Sequence, residues 1–187
     1  IEVLKQKHEK GNLLIGNIGR LSEQKGMNYF IEAAEITLQK HPEVCFIIVG
    51  DGEEREKLHE QVKTRGLQGK VLFLGYRNDV QNVMSQLDFI VLSSLWEGLP
   101  LTPIEAYSVG KTVISTAVDG TPEIIRDGVD GYLVEPRNPM QLAKTMNKLI
   151  ENPKIRTNME MQAIRRYKDE FSFEKLSERY IAFYEGL

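Results

Sequence analysis

Six short runs rich in Ile, Val, Leu and Phe recur along the chain, each separated from the next by a helix-like segment. That rhythm admits few folds. The runs are Asn12 to Ile18, Phe46 to Val49, Val71 to Leu74, Phe89 to Leu92, Thr112 to Ser115 and Tyr132 to Val134. They are short for helices and nearly continuous in apolar character, the pattern of strands covered on both faces. Helices are expected at Met27 to Gln39, Glu53 to Arg65, Val80 to Gln86, Pro103 through Val109, Pro122 to Arg126 and Met140 to Ile150. In the first of these, Met27, Phe30, Ile31, Ala34 and Leu38 mark one apolar face. Repeated βα units imply an α/β fold with a doubly wound parallel sheet and right-handed crossovers.

In such a sheet, ligands bind outside the carboxyl ends of the strands. Two strand-end loops carry the chemistry. The run Phe89 to Leu92 leads into Glu97-Gly98-Leu99-Pro100-Leu101-Thr102-Pro103-Ile104-Glu105. Pro103 suits the first turn of a helix, where its missing N–H is no loss. Glu105 then falls early in that helix and Glu97 at the top of the strand. The Leu99 and Leu101 amides are expected to face the same space, with Pro100 offering only a carbonyl. Carboxylates and free amides converging on one pocket suit a ligand rich in hydroxyls, a sugar or a ribose. Taken singly, Glu105 could simply complement a helix dipole and Glu97 be a solvated loop residue.

The first strand ends in Gly19-Arg20-Leu21-Ser22-Glu23-Gln24-Lys25-Gly26, ahead of the helix at Met27. Two cations in a strand-to-helix loop make a site for a phosphate or diphosphate. As lone residues, Arg20 and Lys25 would be ordinary loop cations, and Ser22-Glu23-Gln24 also reads as a helix start. Gly50-Asp51-Gly52 and Leu74-Gly75-Tyr76 mark turns after the second and third strands. Ser93 and Ser94 end the fourth strand, where they could bond a phosphate or cap the loop. Trp96 could pack under that loop or join an interface.

These segments, in this order from about Asn12 to about Ile150, resemble the donor half of family-4 glycosyltransferases, also called group 1. The resemblance implies a Rossmann-like sheet forming the C-terminal half of a two-domain GT-B fold. It implies an enzyme, a hexosyltransferase, with Arg20 and Lys25 on the donor diphosphate and Glu97 facing the hexose as the catalytic set. On the donor-binding side it implies Glu105 at the ribose hydroxyls and Gly98, Leu99, Pro100 and Leu101 against the sugar and distal phosphate. Tyr76 and Arg77 would border the base, with Gly19, Asp51 and Ser94 completing the donor site. Asp119-Gly120-Thr121-Pro122-Glu123 resembles the family's loop near the donor sugar, although Thr121-Pro122 is equally a good helix start. The resemblance further implies transfer with retention of anomeric configuration and without a metal. No cofactor is expected, the nucleotide-sugar being the substrate, and UDP is the expected nucleotide, with GDP and ADP open.

A net charge of −3 argues against a general nucleic-acid or membrane-binding surface, so the cations that matter are local. Cys45, the only cysteine, lies in an apolar run and reads as a buried thiol. His8, His41 and His59 sit in polar contexts as surface residues, and no cluster has metal-ligand spacing. No apolar run approaches a membrane span and no leader peptide is recognised, so a cytoplasmic protein is expected, one able to work at the inner face of a membrane.

The expected organisation is a truncated hinge at 1–11 with no complete element, a nucleotide-sugar-binding domain at 12–152 and C-terminal helices at 153–187. Phe173, Leu176, Tyr180 and Phe183 line up on the last helix, a face that needs cover. In the resembled family this helix crosses onto an N-terminal acceptor domain, absent here. The chain is therefore expected to be the donor half, with the acceptor glycan or lipid-linked sugar reached through the missing domain. Two other classes compete. A non-catalytic nucleotide-sugar-binding module fits the same residues. An NAD-binding dehydrogenase shares the βα pattern, but the first loop lacks the tight G-x-G-x-x-G turn. A sugar-nucleotide epimerase also shares the architecture and fits the spaced glutamates less well.

Overall fold

The computed structural model describes residues 2–186. Six strands, β1 (Leu14–Ile18), β2 (Cys45–Val49), β3 (Val71–Phe73), β4 (Phe89–Leu92), β5 (Val113–Thr116) and β6 (Gly131–Val134), form one sheet. All pair in parallel, in the order β3-β2-β1-β4-β5-β6. The chain winds outward from β1 to β3, then returns to place β4 on the other side of β1. The strand order thus reverses between β1 and β4, and the loops after these two strands open beside each other at the carboxyl edge. Such a switch point is where open α/β sheets bind ligands.

Alternation along each strand divides the core into two layers. Ile15, Phe46, Ile48, Phe89 and Val91 face the layer beneath α2 (Met27–Leu38), α3 (Arg55–Thr64) and α7 (Pro139–Glu151). Leu14, Ile18, Ile47, Val49, Ile90 and Leu92 face the layer beneath α4 (Val80–Ser85), α5 (Thr102–Ser108) and α8 (Pro153–Arg166). The short helix α6 (Thr121–Ile124) joins the second layer through Ile124. The inner strands are fully buried, so each large apolar side chain there contributes about 1.5–3 kcal/mol over an exposed position. Cys45 is among them, a buried free thiol.

The stretch 1–11, expected to hold no element, contains a helix, α1 (Glu2–Glu9), anchored by the fully buried Leu4. With a single anchoring side chain in eight residues, it lacks the apolar periodicity that reveals a helix. His41 also departs from expectation. Its ring is only 13% exposed and lies between Glu43 and Glu151, with Nε2 3.1 Å from the latter. His8 and His59 are exposed, His59 stacking on Phe73.

A buried charge cluster fixes α5 against the C-terminal helices. Asp130, with no exposed surface, accepts from the Tyr107 hydroxyl at 2.8 Å, the Arg126 N–H at 2.8 Å and the Arg126 Nε at 2.6 Å. Arg166, at the end of α8, donates Nη1 to the same carboxylate at 3.5 Å and Nη2 to the Glu123 carbonyl at 2.8 Å. Burial, reinforced by the Asp130 charge, pushes the Tyr107 hydroxyl far above the ordinary tyrosine range. After one π-type turn (Tyr167–Phe171) the chain enters α9 (Phe173–Glu185), where Phe173, Leu176, Tyr180 and Phe183 are all exposed. Among the described residues, no helix is long and apolar enough to cross a membrane.

Candidate nucleotide-sugar site

The loop after β1 is held down by backbone bonds to its neighbours. Gly19 donates to the Val49 carbonyl, and Leu21 donates to that of Asp51. A single 3-10 turn (Glu23–Lys25) carries Lys25 to Gly26, whose φ is +54°. A Cβ at Gly26 would stand 2.3 Å from the Ser93 carbonyl, so only glycine lets this loop press against the end of β4. Ser93 seals the contact, taking a hydrogen bond from Asn17 Nδ2 at 3.0 Å and donating to the Lys25 carbonyl at 3.1 Å.

This approach delivers Lys25 to Glu97. Nζ lies 2.6 Å from Oε1, and the Ser94 hydroxyl donates to the same oxygen at 2.6 Å. Glu97 Oε2 accepts from no group among the described residues, so one carboxylate oxygen stays available. Asp119, in the loop after β5, receives the Glu97 N–H on Oδ2 at 2.6 Å, and Gly120 N–H donates to the Gly98 carbonyl. Pro100 is buried, whereas Leu99 and Leu101 present exposed side chains. Neither leucine's N–H has a hydrogen-bond partner among the described residues. Glu105 falls in the first turn of α5, with Pro103 ahead of it as expected.

Beside this pair lies a cavity of about 350 Å³ at the ends of β1 and β2. Gly19, Gly50 and Asp51 form its backbone wall, while Ile18, Val49 and Val80 make it apolar. Gly50 has φ +139°, and a Cβ there would lie 1.9 Å from the Gly19 carbonyl, so main chain packs directly on main chain. Arg20, Tyr76 and Arg77 form the rim. Arg20 is 72% exposed and bonded through Nε and Nη2 to Glu53 Oε2, both at 3.1 Å. Arg77 makes two 2.7 Å bonds to Asp79, and this hydrogen bonding holds the Asp79 carboxyl below the usual carboxylate range. Asp51 bonds its own loop, accepting from the Gly52 N–H and from Arg55.

Glu105 borders an adjoining hollow of about 520 Å³ with Asn78, Asp79 and Asn82; Val80 belongs to both spaces. The structure thus joins Lys25, Ser94 and Glu97 directly. It gathers Gly19, Arg20, Asp51, Tyr76 and Arg77 around one cavity and sets Glu105 next door. Arg20 and Lys25 share a loop but turn to different carboxylates. Asp119 was marked in the sequence only as part of a loop resembling the family's loop near the donor sugar; its bond to the Glu97 backbone is what the structure adds. A wider groove of about 970 Å³ between α2 and α7 includes no strand-end residue and none of this chemistry. Among the described residues, no three His, Cys, Asp or Glu side chains are grouped to hold a metal ion.

Residues 2–166 match the family described as Glycosyl transferases group 1. Among curated proteins, the chain is 37% identical over 130 residues to UDP-Gal:alpha-D-GlcNAc-diphosphoundecaprenol alpha-1,3-galactosyltransferase of Escherichia coli, covering 68% of this chain and 34% of that enzyme. It is 29% identical to the lipopolysaccharide core biosynthesis glycosyltransferase LpsE of Rhizobium meliloti, over 90% of this chain and 48% of the relative. The chain therefore spans half or less of the length of these relatives. Among solved structures, Anabaena Alr3699/HepE in complex with UDP-glucose superposes with TM-score 0.89 at 28% identity, over 100% of this chain and 52% of that one. The C-terminal domain of the group 1 protein LpcC from Francisella tularensis gives TM-score 0.81 at 31% identity, over 91% of this chain and 93% of that domain. The match to GT-B glycosyltransferases extends across the whole sheet and its switch point, and the chain belongs to the glycosyl transferases of group 1.

Proposed function

We propose that this chain is the donor-binding half of a retaining, metal-independent glycosyltransferase that moves a hexosyl group from a nucleotide-sugar, with UDP as the nucleotide. The acceptor in this reading is a glycan or lipid-linked sugar, bound by protein outside these residues. One observation carries the proposal: an apolar, glycine-walled cavity stands beside the Lys25–Glu97 pair at the strand-order switch. The base enters the cavity between the Gly19–Gly50 wall and Tyr76-Arg77, and Glu105 reaches the ribose from the adjoining hollow. Arg20 and Lys25 take the diphosphate. As the bond from the sugar's anomeric carbon to phosphate oxygen breaks, negative charge grows on the leaving diphosphate. A fixed cation stabilises that charge most where water is excluded, so the shielded Lys25 contributes more than the exposed Arg20 to the work a metal would otherwise do. Lys25 has three donor hydrogens, so it can hold Glu97 and a phosphate oxygen together. The free oxygen of Glu97 then accepts from a hexose hydroxyl. HepE, whose structures hold UDP and UDP-glucose, supports the choice of donor.

Ligand-observed NMR with UDP, GDP, ADP and NAD, alone and in competition, tests the reading. UDP is expected to bind selectively, with or without EDTA. Glu105→Gln should weaken it by roughly 1–3 kcal/mol through loss of charge-assisted bonds to the ribose. Binding of NAD alone would overturn the proposal, and UDP binding unchanged in Glu105→Gln would overturn the ribose assignment.

A further inference from the structure

We infer that Asp119 is a positioning residue for the donor sugar, locking the Glu97 loop in the geometry that selects a nucleotide-hexose over the bare nucleotide. The inference rests on the sugar-facing role proposed for Glu97. Asp119 has φ +43°, in the left-handed region that glycine, Asn and Asp adopt more readily than other residues. Here the carboxylate receives the Glu97 N–H at 2.6 Å, across 22 residues of sequence. That length fits a charge-assisted bond, the stronger kind. The neighbouring residue repeats the contact: Gly120 N–H donates to the Gly98 carbonyl at 3.1 Å. A Cβ on Gly120 would stand 2.6 Å from that carbonyl, so the two loops touch backbone to backbone.

The Glu97 carboxylate is therefore oriented from two sides. Lys25 and Ser94 hold Oε1, while Asp119 holds the main chain of the same residue. The first two fix where the side chain points. Asp119 fixes the height of the loop above the sheet, and with it the distance from Oε2 to a sugar hydroxyl. Asp119 lines neither the cavity by Tyr76 nor the hollow by Glu105 and bonds the main chain of Glu97, not Lys25, so its loss is expected to fall on the sugar and not on the bare nucleotide.

Two variants leave the backbone unstrained. Asp119→Gly removes the acceptor at a position whose backbone conformation glycine adopts freely. Asp119→Asn keeps an acceptor oxygen and tolerates the left-handed conformation. Affinities for UDP and for UDP-glucose, UDP-galactose and UDP-N-acetylglucosamine are measured on the same chain, with hydrogen exchange of the Glu97 amide. In Asp119→Gly we expect unchanged UDP affinity, about tenfold loss for the preferred UDP-sugar and a deprotected Glu97 amide. Asp119→Asn should recover most of both. An Asp119→Gly variant that binds the UDP-sugar as wild type does, or loses UDP and UDP-sugar equally, overturns the inference. Glu97→Gln separates the two levels of failure. If it leaves UDP-sugar affinity untouched, the sugar-facing reading of Glu97 falls and this inference with it. If it selectively loses the sugar and Asp119→Gly does not, only the role of Asp119 falls.

Discussion

Two ion-pair clusters in this molecule use the same chemistry to opposite ends. Around Asp130 each carboxylate oxygen takes two donors, from Tyr107 and the Arg126 N–H on one side and from the Arg126 and Arg166 guanidiniums on the other. The carboxylate is fully buried and has no capacity left. Around Glu97 both donors crowd onto one oxygen, leaving the other without a partner among the described residues, and Lys25 is 22% exposed. A saturated buried cluster specifies how elements pack; a part-satisfied one beside a cavity keeps bonding capacity for something that arrives. Only the second stands at the switch point of the sheet.

The sharpest way to break this contrast is Asp130→Ala. It removes the acceptor shared by Tyr107, Arg126 and Arg166, leaving the buried Arg166 only Glu170 Oε2 at 3.3 Å and the Glu123 carbonyl. It should cost about 3 kcal/mol by chemical denaturation, while the protein that remains folded keeps its UDP affinity. A variant of near wild-type stability would remove the structural assignment of the cluster. Lys25→Ala should show the reverse balance. Its stability loss should be the smaller, because Ser94 still donates to Glu97 Oε1 and truncating the partly exposed Lys25 lets water in beside it, but UDP affinity should fall by about 1.5–3 kcal/mol with uridine unaffected. Equal losses for UDP and uridine, in parallel titrations, would take Lys25 out of the diphosphate site.

A finer distinction comes from pH. Because the folded protein holds the Tyr107 proton well past the ordinary tyrosine value of about 10, the unfolded chain loses that proton first as pH rises. The folded state then binds more protons than the unfolded state, and stability falls with rising pH. Below about pH 10 both states keep the proton and the contribution is intact. The advantage of wild type over Tyr107→Phe should therefore shrink between pH 9 and 11, by at most about 1.4 kcal/mol per pH unit. Thermal denaturation of both proteins across that range checks the sign; an advantage that grew would contradict it.

The strands were the most legible part of the chain, and the reason is physical. A strand buried on both faces must be apolar at nearly every position, so Phe89 to Leu92 announces itself without any periodicity. Helices with a broad apolar face were equally plain, as at Met27–Leu38, whereas α1 hid behind its single buried leucine. In the site, the sequence grouped residues of one loop, Arg20 with Lys25 and Glu97 with Glu105, but the structure turns Arg20 to Glu53 and Lys25 to Glu97, and sets Glu105 in a hollow that Glu97 does not line. Contacts made between loops could not be read. The Lys25–Glu97 bond joins residues 72 apart, and the Asp119–Glu97 bond joins residues 22 apart. Nothing in the local pattern of either segment encodes which loop will meet which. That pairing follows from the strand order, with β1 beside β4 and β4 beside β5.

The wall formed by Gly19 and Gly50 constrains how a protein of this kind can diversify. A contact made by side chains can be retuned one substitution at a time, but here there is no room even for a methyl group at Gly50. That surface is inherited unchanged or lost with the fold. The side chains that line the same cavity, Tyr76 and Arg77 among them, are not under that constraint. If the base enters here as proposed, a change of nucleotide preference would come through those side chains and not through the glycine wall.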